Sequence, residues 1–192
     1  MKLNGKVILA SGSPRRKQLL EQIGIEFECV PSDVEESITT DVSTDLVKIL
    51  CKKKAVDVAN KCKGQYGLVI GADTVVSYKG KTLGKPKSKE EAIEMLTMLQ
   101  GNKHQVVTGV ALVFPERKVT LVRSTHVFMY PMTHEQIVSY VETGEPMDKA
   151  GAYAIQGKGA AFVEKIDGDY NNVVGLPVSA ILKLLHDMGI DV

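Results

Sequence analysis

Apolar residues occur along this chain in two patterns that alternate from one end to the other. Runs rich in β-branched residues predict strands at 6–10, 27–30, 67–78, 104–114, 118–130 and 159–166. Apolar residues at helical spacing predict helices that begin at Pro14 or span 43–61, 88–101, 133–144 and 177–189. The long strand-like runs on either side of "PERK" (115–118) predict a β-hairpin, and hence a mixed sheet. We therefore expect a single α/β domain over residues 1–192.

The helix that follows "SGSPRR" (11–16) begins in an unusual way. Ser13 suits the N-cap and Pro14 the first helical position. Arg15 and Arg16 then occupy the next two positions, where the helix dipole normally favours acidic residues. A helix N-terminus presents free backbone N–H groups, and guanidinium groups add forked donors that match phosphate oxygens. The sequence therefore predicts an anion site here; the alternative is that both arginines pair with surface acids.

The composition is that of an ordinary globular domain, and it narrows the classes of partner. The net charge is +1 and aromatic residues make up 5% of the chain, so we expect neither a nucleic-acid-binding surface nor an anionic-membrane surface. The three cysteines and four histidines lack C-x-x-C and H-E-x-x-H spacing, which disfavours a disulfide framework or a zinc site. The apolar run at 7–10 is too short for a leader or a membrane span. These features predict a cytoplasmic protein.

Asp73 interrupts the apolar run "LVIGADTVV" (68–76), which otherwise reads as a buried strand. Burying a carboxylate without partners is costly, so Asp73 must pair, bind a metal or act as a base. The alternative is that it ends the strand and satisfies a turn. Gly71, two residues earlier, allows a ligand or another backbone segment to approach closely.

Three other positions are candidates for contacts with a ligand. Lys85, between Gly84 and Pro86, has a restricted backbone and suits a phosphate contact. Lys54 belongs to "CKKKA" (51–55), a pattern that in isolation favours a solvated helix face. Gln156 lies in a glycine-rich segment, and its amide both donates and accepts, so it could read a base edge; a purely structural loop is the alternative.

An acidic pair precedes the second predicted helix. Glu36, or its neighbour Glu35, could join Asp73 in holding a hard divalent cation, which prefers oxygen ligands and often bridges to substrate phosphates. Taken together, the basic positions and the carboxylates predict metal-assisted chemistry on a phosphate ester or anhydride.

Five segments resemble the signatures of the Maf family of nucleoside triphosphate pyrophosphatases: "LASGSPRRKQLL", "VIGADTVV", "LGKP", "MDKAGAYAIQG" and "GDYNNVVGLP". The resemblance implies a fold similar to the inosine triphosphate pyrophosphatases, with an elongated mixed sheet flanked by helices and two lobes around a cleft. It implies hydrolysis of a nucleoside triphosphate to the monophosphate and pyrophosphate with a divalent cation, Mg²⁺ or Mn²⁺. It also suggests a homodimer.

The resemblance assigns roles to individual residues. Asp73 matches the proton acceptor, which would deprotonate the water that attacks the α-phosphorus. Glu36 is the best match for an acid that holds the metal with Asp73. The positions that bind the triphosphate are matched by Ser11, Arg15, Arg16, Lys54 and Lys85.

The same comparison points to a branch of the family and to one alternative function. Arg15, Thr74 and Gln156 match the branch that prefers dTTP and UTP rather than 7-methyl-GTP. Ala154 stands where many relatives carry glycine, a difference that matters if this backbone needs a positive φ. Because the family is also associated with septum formation, the alternative is a nucleotide-binding regulator of cell division with incidental hydrolysis.

Overall fold

A computed structural model of the chain describes residues 3–36 and 42–191. Within this part, the strands are β1 (Val7–Leu9), β2 (Glu28–Cys29), β3 (Leu68–Tyr78), β4 (Lys81–Leu83), β5 (Lys103–Val113), β6 (Lys118–Met129) and β7 (Val163–Asp167). They form one sheet in the order β2-β1-β3-β5-β6-β7, with β4 paired to β3.

The α-helices of the described residues are α1 (Pro14–Gln22), α2 (Ser43–Lys61), α3 (Lys89–Leu99), α4 (His134–Glu142), α5 (Tyr170–Val174) and α6 (Val178–Asp187). Three short 3₁₀ helices, Glu145–Asp148, Ala150–Ala152 and Gly157–Phe162, follow α4. The prediction of a strand over 159–166 is therefore wrong for its first residues, because the chain forms a 3₁₀ turn up to Phe162 and extends only from Val163.

The sheet is mixed, as expected from the hydrophobic pattern. β1 pairs in parallel with both β2 and β3, whereas β3, β5, β6 and β7 pair antiparallel. The predicted hairpin around "PERK" is confirmed by the register of β5 and β6, which runs from Lys103 opposite Phe128 to Val113 opposite Lys118. The α/β fold, a mixed sheet flanked by helices, is thus confirmed.

Alternate residues of β3 point to opposite faces of the sheet, and each face has its own helices. Ile70 and Ala72 belong to a core cluster with residues of α1 and α6, whereas Val69 and Val75 pack with residues of α2. Asp73 has the same parity as Val69 and Val75, so it faces α2. A further cluster gathers α3, α4 and the far ends of the long strands.

Candidate active site

A gap along one edge of β3 opens the cleft. β1 pairs with β3 only as far as Ile70, and β4 begins to pair with the same edge at Val76. Between these points the edge faces the turn after β1 and the N-terminus of α1. Because β1 ends here and its chain passes straight into a helix start, free backbone donors and the central strand meet at one place.

The cleft at this gap has a volume of about 330 Å³, within the usual range for small-molecule sites. It brings together all the candidate residues of the sequence analysis: Ser11, Arg15, Arg16, Glu36, Lys54, Asp73, Thr74, Lys85 and Gln156. Of the two neighbouring acids considered, Glu36 lines the cleft.

Asp73 and Lys54 form a buried ion pair between β3 and α2. The Lys54 ammonium donates to Asp73 Oδ1 at 2.7 Å, and each side chain is 7% exposed. Gly71 makes this approach possible, because a Cβ there would lie 2.5 Å from the Cys51 carbonyl oxygen of α2. The close neighbour of Gly71 is therefore a helix backbone. The solvated-face interpretation is wrong for Lys54, which lies on the buried stripe of α2.

Asp73, Lys54, Glu36 and Lys85 form one wall of the cleft, and acidic and basic side chains alternate along it. Lys54 also donates to Glu36 Oε1 at 2.7 Å, and Lys85 donates to Glu36 Oε2 at 2.6 Å. Burial raises the pKa of the Glu36 carboxyl, but Lys54 and Lys85 outweigh burial and hold this pKa down at about 2. The Glu36 carboxylate is therefore ionised at neutral pH between the two lysines that it contacts.

One oxygen of this wall lacks a partner. Asp73 Oδ2 is buried and accepts no hydrogen bond from the described part of the protein, which is costly for a carboxylate unless a ligand completes it. The described residues contain no cluster of three or more His, Cys, Asp or Glu side chains suited to a metal ion. The carboxylate oxygens of Asp73 and Glu36 are of the ligand type that hard divalent cations prefer.

Arg16 is fastened to the protein from several directions. Its Nε donates to the Gly175 carbonyl at 2.8 Å, and Nη1 donates to the Ala72 carbonyl at 2.9 Å and to Ser11 Oγ at 3.2 Å. Its Nη2 donates to Thr74 Oγ1 at 3.1 Å. Since a guanidinium has five N–H groups, one is left for a ligand. Burial lowers the pKa of Arg16 from 12.5.

Arg15, one residue earlier, is held far less firmly. Its one ion pair within the described residues runs from Nη1 to Asp148 Oδ2, at 3.1 Å, and the Asp148 side chain is 63% exposed. Sequence reasoning placed the two arginines in one class as phosphate receptors. The structure separates them. Arg16 donates most of its N–H groups to β3, Ser11 and Gly175, whereas Arg15 makes one hydrogen bond within the described residues and has most of its N–H groups available for a ligand.

Thr74 begins a short chain of hydroxyl groups beneath the cleft. Thr108 donates to the Asn172 carbonyl at 3.0 Å, so the 2.9 Å bond between the two threonines is donated by Thr74. Thr74 also accepts from Arg16. The side chain that the sequence marked for specificity is thus held by protein groups on both sides, and its position depends on the whole chain of bonds.

The lining of the cleft also includes Gln156 and less polar residues, among them Tyr153, Ala154 and valines of the core. Ala154 has a negative φ, so the departure from glycine at this position needs no special conformation; among non-glycine residues, Ala152 is one that adopts a positive φ, of 60°. The cleft therefore offers both charged surface, which suits a phosphate group, and apolar surface, which suits a ring.

Several residues of the cleft were not singled out from the sequence. Among them are Ser32, Asp148, Lys149 and Tyr153. Asp148, Lys149 and Tyr153 lie within the motif "MDKAGAYAIQG", so the motif itself carried a signal. No local pattern distinguishes Ser32, which enters the site because the loop after β2 passes along it. Asp169 in "GDYNN" caps α5 through a bond from the Asn171 N–H and is not among the residues that line the cleft.

Comparison with protein families and curated proteins gives a consistent result. Residues 6–188 match the family model described as Maf-like protein. The chain is 49% identical over 188 residues to the dTTP/UTP pyrophosphatase of Bacillus anthracis, covering 97% of each chain. It is 50% identical over 185 residues to the dTTP/UTP pyrophosphatase of a Geobacillus species, covering 96% of this chain and 98% of the relative.

Among solved structures, the chain aligns with a nucleoside-triphosphatase, a dITP/XTP pyrophosphatase of Mycobacterium abscessus, at a TM-score of 0.47 and 15% identity. The alignment covers 98% of both chains. The Ham1 protein of Staphylococcus aureus aligns at a TM-score of 0.48 and 15% identity, covering 95% of this chain and 99% of that one. Across residues 3–36 and 42–191, none of the helices combines the length and the apolar character that crossing a membrane requires.

Proposed function

This chain belongs to the Maf-like protein family, and we propose that it hydrolyses nucleoside triphosphates, dTTP and UTP above others, to the monophosphate and pyrophosphate. The observation that carries the proposal is the buried Asp73 carboxylate, which has one unpartnered oxygen in a cleft lined by basic residues. The names of the Bacillus and Geobacillus relatives support the same reaction and the same substrates.

The triphosphate would lie against Arg15, Arg16, Lys54 and Lys85, which we call the basic end of the cleft. Arg15 and Lys85 have donors to offer, since each makes one ion pair within the described residues, and in both pairs the acid is partly exposed. Ser11 Oγ accepts two protein hydrogen bonds, so its own O–H is available as a donor. Arg16 and Lys54 add fixed positive charge. In this arrangement the cations stabilise the negative charge that builds up on the departing pyrophosphate.

Asp73 would act as the proton acceptor. Lys54 binds Oδ1 and fixes the carboxylate in place, which leaves Oδ2 as the oxygen that receives a proton from water. The water oxygen then attacks the α-phosphorus, the bond from this phosphorus to the bridging oxygen breaks, and pyrophosphate departs with the bonding electron pair.

We propose that Glu36 and Asp73 hold a divalent cation, Mg²⁺ or Mn²⁺, jointly with the substrate phosphates. When bound, such an ion neutralises phosphate charge and helps to orient the triphosphate. Glu36 pairs with Lys54 and Lys85, so binding of the ion to Glu36 would leave one donor of each lysine free for phosphate oxygens, while Lys54 would keep its bond to Asp73.

The base would lie against Gln156 and the apolar lining of the cleft. The Gln156 amide can accept from the N3–H of uracil or thymine and donate to a ring carbonyl. Arg15 and Thr74 complete the set that favours dTTP and UTP. The single domain over 1–192, the homodimer and the cytoplasmic location remain predictions from the sequence.

A hydrolysis panel tests this proposal. The purified protein is incubated with dTTP, UTP, CTP, dATP, GTP and 7-methyl-GTP, with Mg²⁺ or Mn²⁺, and the products are separated. We expect UTP and dTTP to give monophosphate plus pyrophosphate, with the activity abolished by a chelator and nearly abolished in Asp73→Asn. Nucleotide binding without any turnover would refute the proposal and favour the regulator.

A further inference from the structure

The turn that carries Gln156 is held from outside the cleft by two side chains that the reaction does not use. Tyr140, on α4, and Glu145, three residues after this helix, contact the backbone of residues 154–159. One contact precedes Gln156 in the chain and two follow it, so the residue lies between fixed points.

The Glu145 carboxylate is the centre of this arrangement. Its Oε1 accepts the Tyr140 O–H at 2.8 Å and the Gly159 N–H at 3.0 Å, and its Oε2 accepts the Lys158 N–H at 3.0 Å. Tyr140 in turn accepts the Ala154 N–H at 3.1 Å. A carboxylate therefore satisfies the free donors at the start of the 3₁₀ turn, as an acidic cap does for a helix.

The 3₁₀ turn Gly157–Phe162 is closely packed at Gly159. A Cβ at Gly159 would lie 2.3 Å from the Ala154 carbonyl oxygen and 2.5 Å from the Tyr140 hydroxyl. The two ends of the loop that contains Gln156 therefore touch each other and the tyrosine. Tyr140 is itself 3% exposed and packs edge-on against Phe162, so the anchor is part of the core.

Charge supports the same interpretation. Burial raises the pKa of the Glu145 carboxyl, but the N–H donors of Gly159 and Lys158 and the Tyr140 hydroxyl outweigh it, and the pKa lies below its ordinary value. Glu145 is therefore ionised at neutral pH, the state in which both of its oxygens accept hydrogen bonds.

We propose that Glu145 and Tyr140 are positioning residues that set nucleobase selectivity by fixing the distance from Gln156 to the basic end of the cleft. This inference rests on the proposed function. Within the described residues, the side-chain amide of Gln156 makes no hydrogen bond to another residue, so its position follows from the backbone turn. With its triphosphate held by the basic residues, a one-ring base extends less far into the cleft than a two-ring base. A fixed turn therefore places the Gln156 amide at hydrogen-bond distance from only one of the two.

The test compares kcat/KM for UTP with kcat/KM for GTP in three variants. Glu145→Gln exchanges one acceptor oxygen for an NH₂ group, which cannot accept an N–H, and Tyr140→Phe removes the hydroxyl but keeps the packed ring. A misplacement of about 1 Å can cost up to about a hundredfold in rate. We therefore expect the UTP:GTP ratio of kcat/KM to fall about tenfold in Glu145→Gln and in Tyr140→Phe. Glu91→Gln is the matched control, because Glu91 accepts the Lys87 N–H at the start of α3 and does not line the cleft; we expect no change in its ratio.

A double-mutant cycle separates positioning from general damage. In a Gln156→Ala background, Glu145→Gln should change the UTP:GTP ratio by less than twofold, since the residue that it positions is gone. Equal losses for UTP and GTP, or a full effect without Gln156, would overturn the inference while leaving the proposed function intact. If the wild-type protein turns over no nucleotide, the proposed function fails and the inference fails with it. Tyr140→Phe keeps the test decisive if Glu145→Gln does not fold.

Discussion

Arg15 and Arg16 are neighbours with the same side chain, yet the structure predicts opposite consequences for their removal. Arg16 links the turn after β1, the open edge of β3 and the residue after α5 through four hydrogen bonds. Within the described residues, Arg15 has one ion pair, and its partner is an exposed acid. Truncation to alanine should therefore damage stability at Arg16 and substrate binding at Arg15.

The magnitude follows from the bonds that are lost. Hydrogen bonds from a charged donor contribute roughly 1.5–3 kcal/mol each, and Arg16→Ala leaves the Gly175 and Ala72 carbonyls without this donor. Two effects reduce the loss of stability in this variant. Water from the cleft hydrates part of the exposed polar surface, and the desolvation cost of burying the guanidinium no longer applies. We therefore expect Arg16→Ala to lower the free energy of unfolding by about 3 kcal/mol. Arg15→Ala should lower it by less than about 1 kcal/mol.

Urea titration followed by circular dichroism measures both values. With an m value of about 2 kcal/mol/M, Arg16→Ala should lower the urea midpoint by about 1.5 M, while Arg15→Ala leaves it nearly unchanged and raises KM for UTP. Equal midpoints for the two variants, or a loss below about 1 kcal/mol for Arg16→Ala, would refute the assignment of a fastening role to this residue.

Further predictions concern three other ionisable side chains. Lys54→Met leaves the buried carboxylate of Asp73 unpaired, so it should lower the free energy of unfolding by about 3 kcal/mol, measured in urea. Lys85→Ala, whose side chain is 52% exposed, should change it by less than about 1 kcal/mol but raise KM for UTP. Burial lowers the pKa of His104 from 6.5 to about 4, so its contribution to stability is complete above pH 6.5 and is lost as the pH falls towards 4. Thermal unfolding of His104→Gln should lack this part of the pH dependence; an unchanged profile would contradict it.

The sequence indicated the long strands and the cleft because both depend on local features. β-branched runs mark β3, β5 and β6, and a carboxylate inside such a run marks Asp73 as exceptional. Helical spacing also held a signal that the lysine run concealed. Lys54 follows Val47 and Cys51 at helical intervals and precedes Val58, so it falls on the buried stripe of α2.

Other features depend on contacts between distant segments and left no local pattern. The four bonds of Arg16 reach residues up to 159 positions away, so its charge alone could not separate it from Arg15. The sequence predicts a strand at Gly159, yet this residue lies in a 3₁₀ turn and packs closely against Ala154 and Tyr140. In the sequence, nothing distinguishes Glu145 from an ordinary surface acid. The fold brings its carboxylate to the backbone N–H groups of residues 158 and 159.

Hydrolysis of UTP in water enriched in heavy oxygen tests the central claim most directly. If Asp73 delivers a water molecule to the α-phosphorus, mass spectrometry should find the label in UMP and none in pyrophosphate, and Asp73→Asn should lower the rate by about a thousandfold while UTP still binds. Label in pyrophosphate, or the formation of UDP and phosphate, would place the attack at another phosphorus. Near-normal labelling rates in Asp73→Asn would contradict the role of this carboxylate as the base.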